Sequence, residues 1–288
     1  MLTIGGLVFL LACVFGSFAA SGGAMGALFG SMPFELLSIL GAAIGSFVMA
    51  NSMHDVKHML GGLKKTLTGS VYKKPDYVEM LSLLYFFVRL ASTRGVMALE
   101  PHIENPQASS AFMKFPKILA NHHASAMICD YLRMVGMNVD DPHQIDDVMA
   151  RELKKTLAEE LHPCHALQTM ADALPALGIV AAVLGVIKTM SHINQPPAVL
   201  GEMIGGALVG TFLGVLLAYG VVAPVAARLR DVVLEEGKYF DLIRAVLVAH
   251  LHGNPPQVSV ESGRKMVPNE HMPNFQELEA VIQSLDIS

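Results

Sequence analysis

Residues 174–190 read Leu-Pro-Ala-Leu-Gly-Ile-Val-Ala-Ala-Val-Leu-Gly-Val-Ile-Lys-Thr-Met and carry one charged side chain, Lys188, close to their end. A second stretch, residues 203–227, carries no charged side chain at all. One helical crossing of a bilayer takes about 20 apolar residues. The two stretches therefore predict two membrane-spanning helices, joined by residues 191–202 with Pro196 and Pro197.

The N-terminal 53 residues have the same character, because Glu35 is their only charged side chain. Leu2–Ala20 and Phe34–Ala50 are each long enough to span a membrane. The Gly- and Pro-rich stretch Ser21–Pro33 predicts the turn between them. No Lys or Arg precedes the first stretch and a second span follows directly, so we expect a retained helix and not a cleaved signal peptide. The sequence thus predicts four crossings.

The composition of the whole chain excludes several classes of protein. Apolar residues make up 52% of the 288 residues and charged residues 16%, where a globular domain has about 25%. The 20 basic and 25 acidic residues give a net charge of −5, which provides no electrostatic basis for nucleic-acid binding. Three cysteines cannot form a disulfide framework without leaving one over.

The distribution of basic residues predicts the topology. Nineteen of the 20 Lys and Arg residues lie in segments 54–170 and 228–288, and the remaining one, Lys188, lies at the end of the third crossing beside the second hairpin loop. The positive-inside rule places both segments and both termini in the cytoplasm, which makes this an inner-membrane, multi-pass protein. The predicted parts are transmembrane helices 1 and 2 (1–53), a cytoplasmic helical domain (54–170), transmembrane helices 3 and 4 (171–227), and a cytoplasmic helix extension with a tail (228–288).

The segments outside the membrane have helical periodicity. Apolar residues of Tyr77–Leu90 recur at spacings of three and four, and Phe115–Val139 and Pro142–Leu161 have similar patterns. The fourth crossing has no breaker after Pro224 and is expected to continue as a helix towards His252. The tail contains one short amphipathic stretch, Phe275–Leu285. The predicted fold class is an all-α membrane protein with four transmembrane helices and a large helical cytoplasmic domain.

Residues that could carry enzymatic or metal chemistry are sparse. The cluster His162-Pro163-Cys164-His165 and the pair His122-His123 each lack the second pair of ligands that a metal site needs, and Pro163 is expected to disturb its helix. No nucleotide-binding fingerprint or nucleophile motif occurs. We therefore predict no enzymatic activity, no catalytic residue, no metal and no cofactor.

The third and fourth crossings each have one face of small residues. Small residues let another helix approach closely, and a threonine hydroxyl can face an ion or a water. An ion path and ordinary tight packing explain the two faces equally well. Because Glu35, Asp172 and Glu202 are all predicted near crossing ends, no crossing has a carboxylate at its middle. The two faces consist of Pro175, Gly178, Ala182 and Gly185, and of Ala207, Thr211, Gly214 and Ala218.

The sequence resembles the MotA family of flagellar motor stator proteins. The run 170–186, Met-Ala-Asp-Ala-Leu-Pro-Ala-Leu-Gly-Ile-Val-Ala-Ala-Val-Leu-Gly-Val, is similar to the third crossing of that family. The run 210–220, Gly-Thr-Phe-Leu-Gly-Val-Leu-Leu-Ala-Tyr-Gly, followed by Pro224, is similar to the fourth. Leu99-Glu100 with Ile103-Glu104-Asn105-Pro106 matches the cytoplasmic loop, and segments 256–258 and 261–265 match the tail.

The resemblance implies roles for individual residues. Pro175 and Pro224 correspond to two prolines needed for motor function, and a proline within a crossing leaves a bendable point. Arg94 and Glu100 resemble the charged pair that meets the rotor protein FliG, although their spacing of six residues is shorter than is usual in the family. The implied lining of the ion path is Ala182, Thr211, Gly178 and Gly214.

The resemblance also implies an assembly and an ion. Family members form a ring of five around two copies of a single-crossing MotB-type partner, whose membrane Asp binds the transported ion. Ala182 occupies the position where sodium-driven members have a Thr hydroxyl, so the transported ion is expected to be H⁺. The alternative is an ion-driven energiser of a periplasmic partner, like TolQ or ExbB, for which the Glu100 loop is not required.

Overall fold

The computed structural model describes residues 2–137 and 141–284, and every regular element in these two ranges is helical. The α-helices of the described ranges are, in chain order, α1 (Leu2–Ala20), α2 (Met25–Ala50), α3 (Met53–Thr68), α4 (Lys74–Arg94), α5 (Glu100–Glu104), α6 (Ser110–Met113), α7 (Pro116–Ala120), α8 (His122–Gly136), α9 (Pro142–Met190), α10 (Pro197–Leu217), α11 (Ala223–Leu251), α12 (Pro256–Arg264) and α13 (Phe275–Ser284).

The chain divides into two compact units. Unit 1 comprises residues 1–69 and 160–232, and unit 2 comprises residues 70–159 and 233–288. In unit 1, α1 and α2 are both apolar and α3 is amphipathic. A π-helical turn (Ala218–Val222) links α10 to α11 in the same unit. The domain boundaries predicted at residues 53, 170 and 227 mark where the chain leaves the membrane, and they stay a prediction.

Four helical stretches are long and apolar enough to cross a membrane, with spans inside Thr3–Ala20, Leu28–Ala50, Pro142–Met190 and Pro197–Leu251. The predicted all-α fold with four membrane helices is therefore confirmed. The second helix is longer than predicted, because it begins at Met25 and includes Pro33. In a bilayer the backbone must bond to itself, and this outweighs the local preference of Gly and Pro for a turn. The turn shortens to residues 21–24, where Gly22 has a φ of +81°.

The predicted helix Pro142–Leu161 and the third crossing are one helix. α9 runs without interruption for 49 residues and includes Pro163 and Pro175. The expectation that Pro163 disturbs the helix was too strong. A proline removes one backbone donor, and the bonds on either side are enough to carry the helix across it.

The core of unit 1 joins α2, α9 and α10. Fully or almost fully buried apolar residues from the three helices and the π-helical turn pack together, and α1 contributes none of them. The membrane-facing sides of these helices remain apolar and exposed. The buried residues are Ile39, Ala43, Leu174, Ala181, Val209, Leu213 and Ala218.

Unit 2 is built around α4, whose side chains are buried on nearly all sides. Tyr77, Leu84 and Phe87 of this helix are completely buried. Burial of this extent is what stabilises a soluble helical core. The predicted helix 115–139 is divided into α7 and α8, and its last residue, Val139, lies outside the described residues.

The tail contains two helices where one was predicted. α12 was missed, and α13 matches the predicted amphipathic stretch, of which Leu285 lies outside the described residues. The guanidinium of Arg264 is buried and donates to Glu261 at 2.6 Å and to the carbonyl of Pro273 at 2.9 Å. These bonds hold the segment between the two tail helices against α12.

Candidate ion path and charged loop

Glycines form the contact between α9 and α10. A Cβ atom on Gly178 would lie 2.8 Å from the carbonyl oxygen of Gly210, and a Cβ on Gly214 would lie 2.7 Å from that of Leu174. A Cβ on Gly185 would lie 2.9 Å from the Cα of Ala207. Such approach distances require the absence of a side chain. We call this contact the glycine seam.

Two of the four predicted lining residues belong to the glycine seam. Gly178 and Gly214 are buried against each other, so in this chain they pack helix on helix. This is the packing alternative that the sequence left open. Their predicted exposure to an ion path stays a prediction about the assembled protein.

Ala182 and Thr211 lie at the edges of the glycine seam and are half-buried. Along α9, the residues three before and four after Ala182 are the exposed Ile179 and Val186. Along α10, the corresponding neighbours of Thr211 are exposed leucine and valine side chains at positions 208 and 215. Each residue therefore lies in an apolar stripe that no other part of the chain covers among the described residues.

Glu35 lies inside α2 and not at its start, where the predicted bounds 34–50 had put it, and its depth in the membrane stays a prediction. It is the eleventh residue of a helix that starts at Met25, so it lies about 15 Å along the axis from that start. A Cβ on Gly210 would be 2.8 Å from Glu35 Oε2 and 3.2 Å from the backbone nitrogen of Ala182. The carboxylate is thus packed against the glycine seam beside a predicted lining residue. The misplaced start of α2 is the reason that the sequence did not reveal this.

A polar cavity of ≈390 Å³ opens beside Glu35 between α2, α9 and α10. Glu35, Lys188 and Glu202 line it together with the hydroxyl residues Ser31 and Thr189. Charged groups at membrane depth face water-filled spaces or one another, because their transfer into lipid is costly. The cavity can therefore hold water and bring it to the carboxylate of Glu35.

The two predicted hinge prolines occupy different backbone settings. Pro175 lies in the interior of α9, where its missing N–H leaves the carbonyl of Ala171 without a helical donor. Pro224 is exposed and follows the π-helical turn, in which the N–H of Ala223 bonds to the carbonyl of Ala218. A π-helical turn is a common site of local rearrangement. The structure thus places a backbone irregularity at each proline.

The loop after α4 presents two free charges. α4 ends at Arg94, Gly95 adopts a φ of +81°, and Glu100 opens α5. The buried side chain of Leu99 fixes this turn to the core of unit 2. The side chains of Arg94 and Glu100 are exposed, and neither pairs with any residue within 2–137 and 141–284.

The rest of the loop motif has a structural role. Glu104 accepts a hydrogen bond from Arg133 Nε at 2.8 Å, and the side chain of Asn105 accepts one from the N–H of Ala108 at 3.3 Å. Burial lowers the pKa of His102, whose Nδ1 lies 2.8 Å from the hydroxyl oxygen of residue 109. Of the two glutamates in this motif, only Glu100 is available to a partner. Nothing in the sequence separates them.

The histidine clusters do not converge on a metal site. Across the residues that the structure describes, no three His, Cys, Asp or Glu side chains are arranged to hold a metal ion. His162 instead faces Asp55 of α3, with 3.5 Å between Nδ1 and Oδ1, and Cys164 is buried.

Comparison with known proteins identifies relatives over nearly the whole chain. Residues 4–95 match the family described as Motility protein A N-terminal, and residues 119–241 match the MotA/TolQ/ExbB proton channel family. Motility protein A of Escherichia coli is 38% identical over 285 residues, which cover 99% of this chain and 96% of that protein. Chemotaxis protein LafT of Vibrio parahaemolyticus is 34% identical over 274 residues, with 95% of each chain covered.

Solved structures agree on the fold. The structure of C. jejuni MotAB matches with a TM-score of 0.72 and 18% identity, and covers 95% of this chain and 98% of that one. The flagellar MotAB stator complex of Bacillus subtilis matches with a TM-score of 0.69 and 21% identity, and covers 96% and 98%. The apolar four-helix membrane part, the glycine seam and the free charged loop are consistent with these matches. The chain belongs to the motility protein A family of flagellar motor stator subunits, within the MotA/TolQ/ExbB proton channel family.

Proposed function

We propose that five copies of this chain form a ring around two copies of a single-crossing, MotB-type partner. The observation that carries the proposal is that Ala182 and Thr211 lie in uncovered apolar stripes beside the glycine seam. A stripe of this kind suits a further helix, and small residues let that helix approach. Native mass spectrometry of the purified complex should give a 5:2 mass, whereas a monomer that recruits no partner contradicts the proposal.

In this assembly the partner supplies the carboxylate that binds the ion. Proton binding neutralises that carboxylate, so it can move past the small-residue edges of successive subunits. Glu35 and its cavity lie close to Ala182, and we propose that they supply water and protons to this region. No step requires a cofactor or an enzymatic reaction.

We propose the orientation that the basic residues indicate. Segments 54–170 and 228–288 then lie in the cytoplasm with both termini, and the four helices span the inner membrane. This placement puts Arg94 and Glu100 on the side where the rotor lies. The proposed rotor contact is FliG, which these free charges would engage repeatedly, because contacts between exposed charges are individually weak.

A charge reversal tests the rotor contact. Glu100→Lys should reduce swimming strongly without affecting insertion or assembly, because the side chain is exposed and forms no hydrogen bond or ion pair within the described residues. A complementary reversal on the rotor should partly restore swimming. Glu270→Lys, which reverses an exposed charge in the tail, is the matched control and should swim normally. Normal swimming of Glu100→Lys at both low and high load would refute the rotor contact.

We propose H⁺ as the transported ion. Na⁺ must exchange its water shell for several oxygen ligands, and the methyl group of Ala182 offers none. Swimming speed should therefore be independent of external sodium at fixed pH, and a protonophore should abolish it. Speed that rises with sodium and survives the protonophore would overturn this choice of ion.

The alternative function is an energiser of a periplasmic partner, of the TolQ or ExbB type. The family match to residues 119–241 covers both types, whereas the match to residues 4–95 is to the Motility protein A N-terminal family. Only the motor function requires the free charge of Glu100. We therefore favour the stator function.

A further inference from the structure

α3 begins directly after the second membrane span. Only Asn51 and Ser52 separate it from α2, and Ser52 caps it. The Ser52 hydroxyl accepts a hydrogen bond from the N–H of Asp55 at 3.2 Å, and the carboxylate of Asp55 accepts one from the N–H of Ser52 at 3.1 Å. Such a capping box fixes where a helix starts. The beginning of α3 is therefore held at the end of the span.

One side of α3, its inner face, is held by the rest of unit 1. A Cβ on Gly62 would lie 3.2 Å from a methyl group of Leu229 in α11, and the side chain of Thr66 is buried. Asp55 on the same side faces His162 of α9. α3 is thus a packed element whose opposite side is left open.

The opposite side, the outer face, combines exposed apolar and basic side chains. Met53, Leu60 and Leu67 follow one another at seven-residue intervals and are 66%, 59% and 52% exposed. Lys57 and Lys64 lie on the same side, exposed and without a partner among the described residues. The only acidic residue of α3, at position 55, belongs to the inner face. The outer face therefore has two unbalanced positive charges.

We propose that the outer face of α3 binds the headgroups of anionic phospholipids. Helices with an apolar edge and lysines beside it lie in the interface of a bilayer, where the lysine stems extend along apolar surface towards the headgroups. The last turn of α2, which directly precedes α3, also exposes apolar side chains, Val48 and Met49. Lysines near an anionic membrane surface attract its headgroups electrostatically. The proposal rests on α2 spanning the membrane and is independent of the ion and of the rotor contact.

The absence of tryptophan from the chain allows a direct test. Leu60→Trp places the only indole of this chain on the outer face, and Phe9→Trp places the only one on an exposed part of α1 as the control. The purified complex is reconstituted in nanodiscs that contain brominated phosphatidylglycerol or the same fraction of brominated phosphatidylcholine. Brominated phosphatidylglycerol should quench the indole at position 60 as if it bound there about fivefold more strongly than brominated phosphatidylcholine. Both lipids should quench the indole at position 9 equally.

The double variant Lys57→Gln, Lys64→Gln should remove the lipid preference of the indole in Leu60→Trp and leave the quenching in Phe9→Trp unchanged. Met53→Trp provides a second reporter on the same face if Leu60→Trp lowers the yield. Equal quenching of Leu60→Trp by the two lipids would overturn the headgroup site. Absence of quenching by either lipid would show that protein covers this face, which also overturns the proposal.

Discussion

Gly214→Val is expected to prevent the accumulation of assembled protein in the membrane. A Cβ at this position would lie 2.7 Å from the carbonyl oxygen of Leu174 and 2.9 Å from the Cα of Gly178. Both obstructing atoms belong to the backbone, so no side chain can turn away. Overpacking of this kind costs about 3 kcal/mol or more, because the two helices must separate. Membrane abundance and the thermal midpoint from far-UV circular dichroism, which follows helical structure, measure the effect.

Gly205→Val is the matched control. It introduces the same side chain into the same helix, but a Cβ on Gly205 has nothing within 4 Å. Its abundance and melting should equal those of the unmodified protein. If Gly214→Val melted at the same temperature as Gly205→Val, the glycine seam would not be the contact that holds α9 and α10 together.

Pro224→Ala is expected to leave the complex assembled but to lower torque to less than about a tenth of its normal value. The physical reason is that the proposed hinge needs a backbone that can change conformation at this residue. Because the ring of Pro224 is exposed, its loss removes few packing contacts. An alanine supplies an N–H to the carbonyl of Gly220, which favours a regular α-helix over the π-helical turn. Rotation of a bead attached to one flagellum at high load measures the torque.

Pro175→Ala should behave similarly, because it supplies the donor that the carbonyl of Ala171 lacks. Pro163→Ala is its control, since both prolines lie inside α9 and only Pro175 lies within the predicted crossing. Pro163→Ala should keep near-normal torque. Loss of Pro175→Ala or Pro224→Ala from the membrane would assign these prolines a structural role and contradict the hinge.

The membrane helices could be predicted from the sequence because bilayer thickness and apolar length are directly related. The start of the second helix could not, although the first helix has the predicted bounds. Gly22 and Pro33 each indicate a turn, but only the backbone around Gly22 makes one. The misplaced start moved Glu35 from the interior of a helix to its end, and this concealed an acidic side chain that packs against the glycine seam.

The small-residue pattern predicted a close helix contact but not its partner. A glycine serves an ion path and a helix contact equally well in sequence, and only the distance to Gly210 shows that Gly178 packs against α10. The same limit applies to the charged loop. Glu100 and Glu104 are both consistent with a partner contact until the hydrogen bond from Arg133 occupies Glu104.

The short helices of the loops and tail depend on contacts that are distant in sequence. α12 carries few apolar residues and was missed, yet Val260 is buried in the core of unit 2. α3 has a clear amphipathic character, but its inner side is recognised only through Leu229, far along the chain. Isolated helices of this length are marginal in water, so packing decides where they form.

If this chain is a stator subunit, its complex with the partner should drive the flagellar rotor. The most direct measurement follows the rotation of a single motor in cells that lack their own copy, while this chain and its partner are induced. We expect speed at high load to rise from zero as the complex accumulates in the membrane, and Glu100→Lys to produce a much smaller rise or none. A motor that stays still although the complex is assembled in the membrane would contradict the stator function.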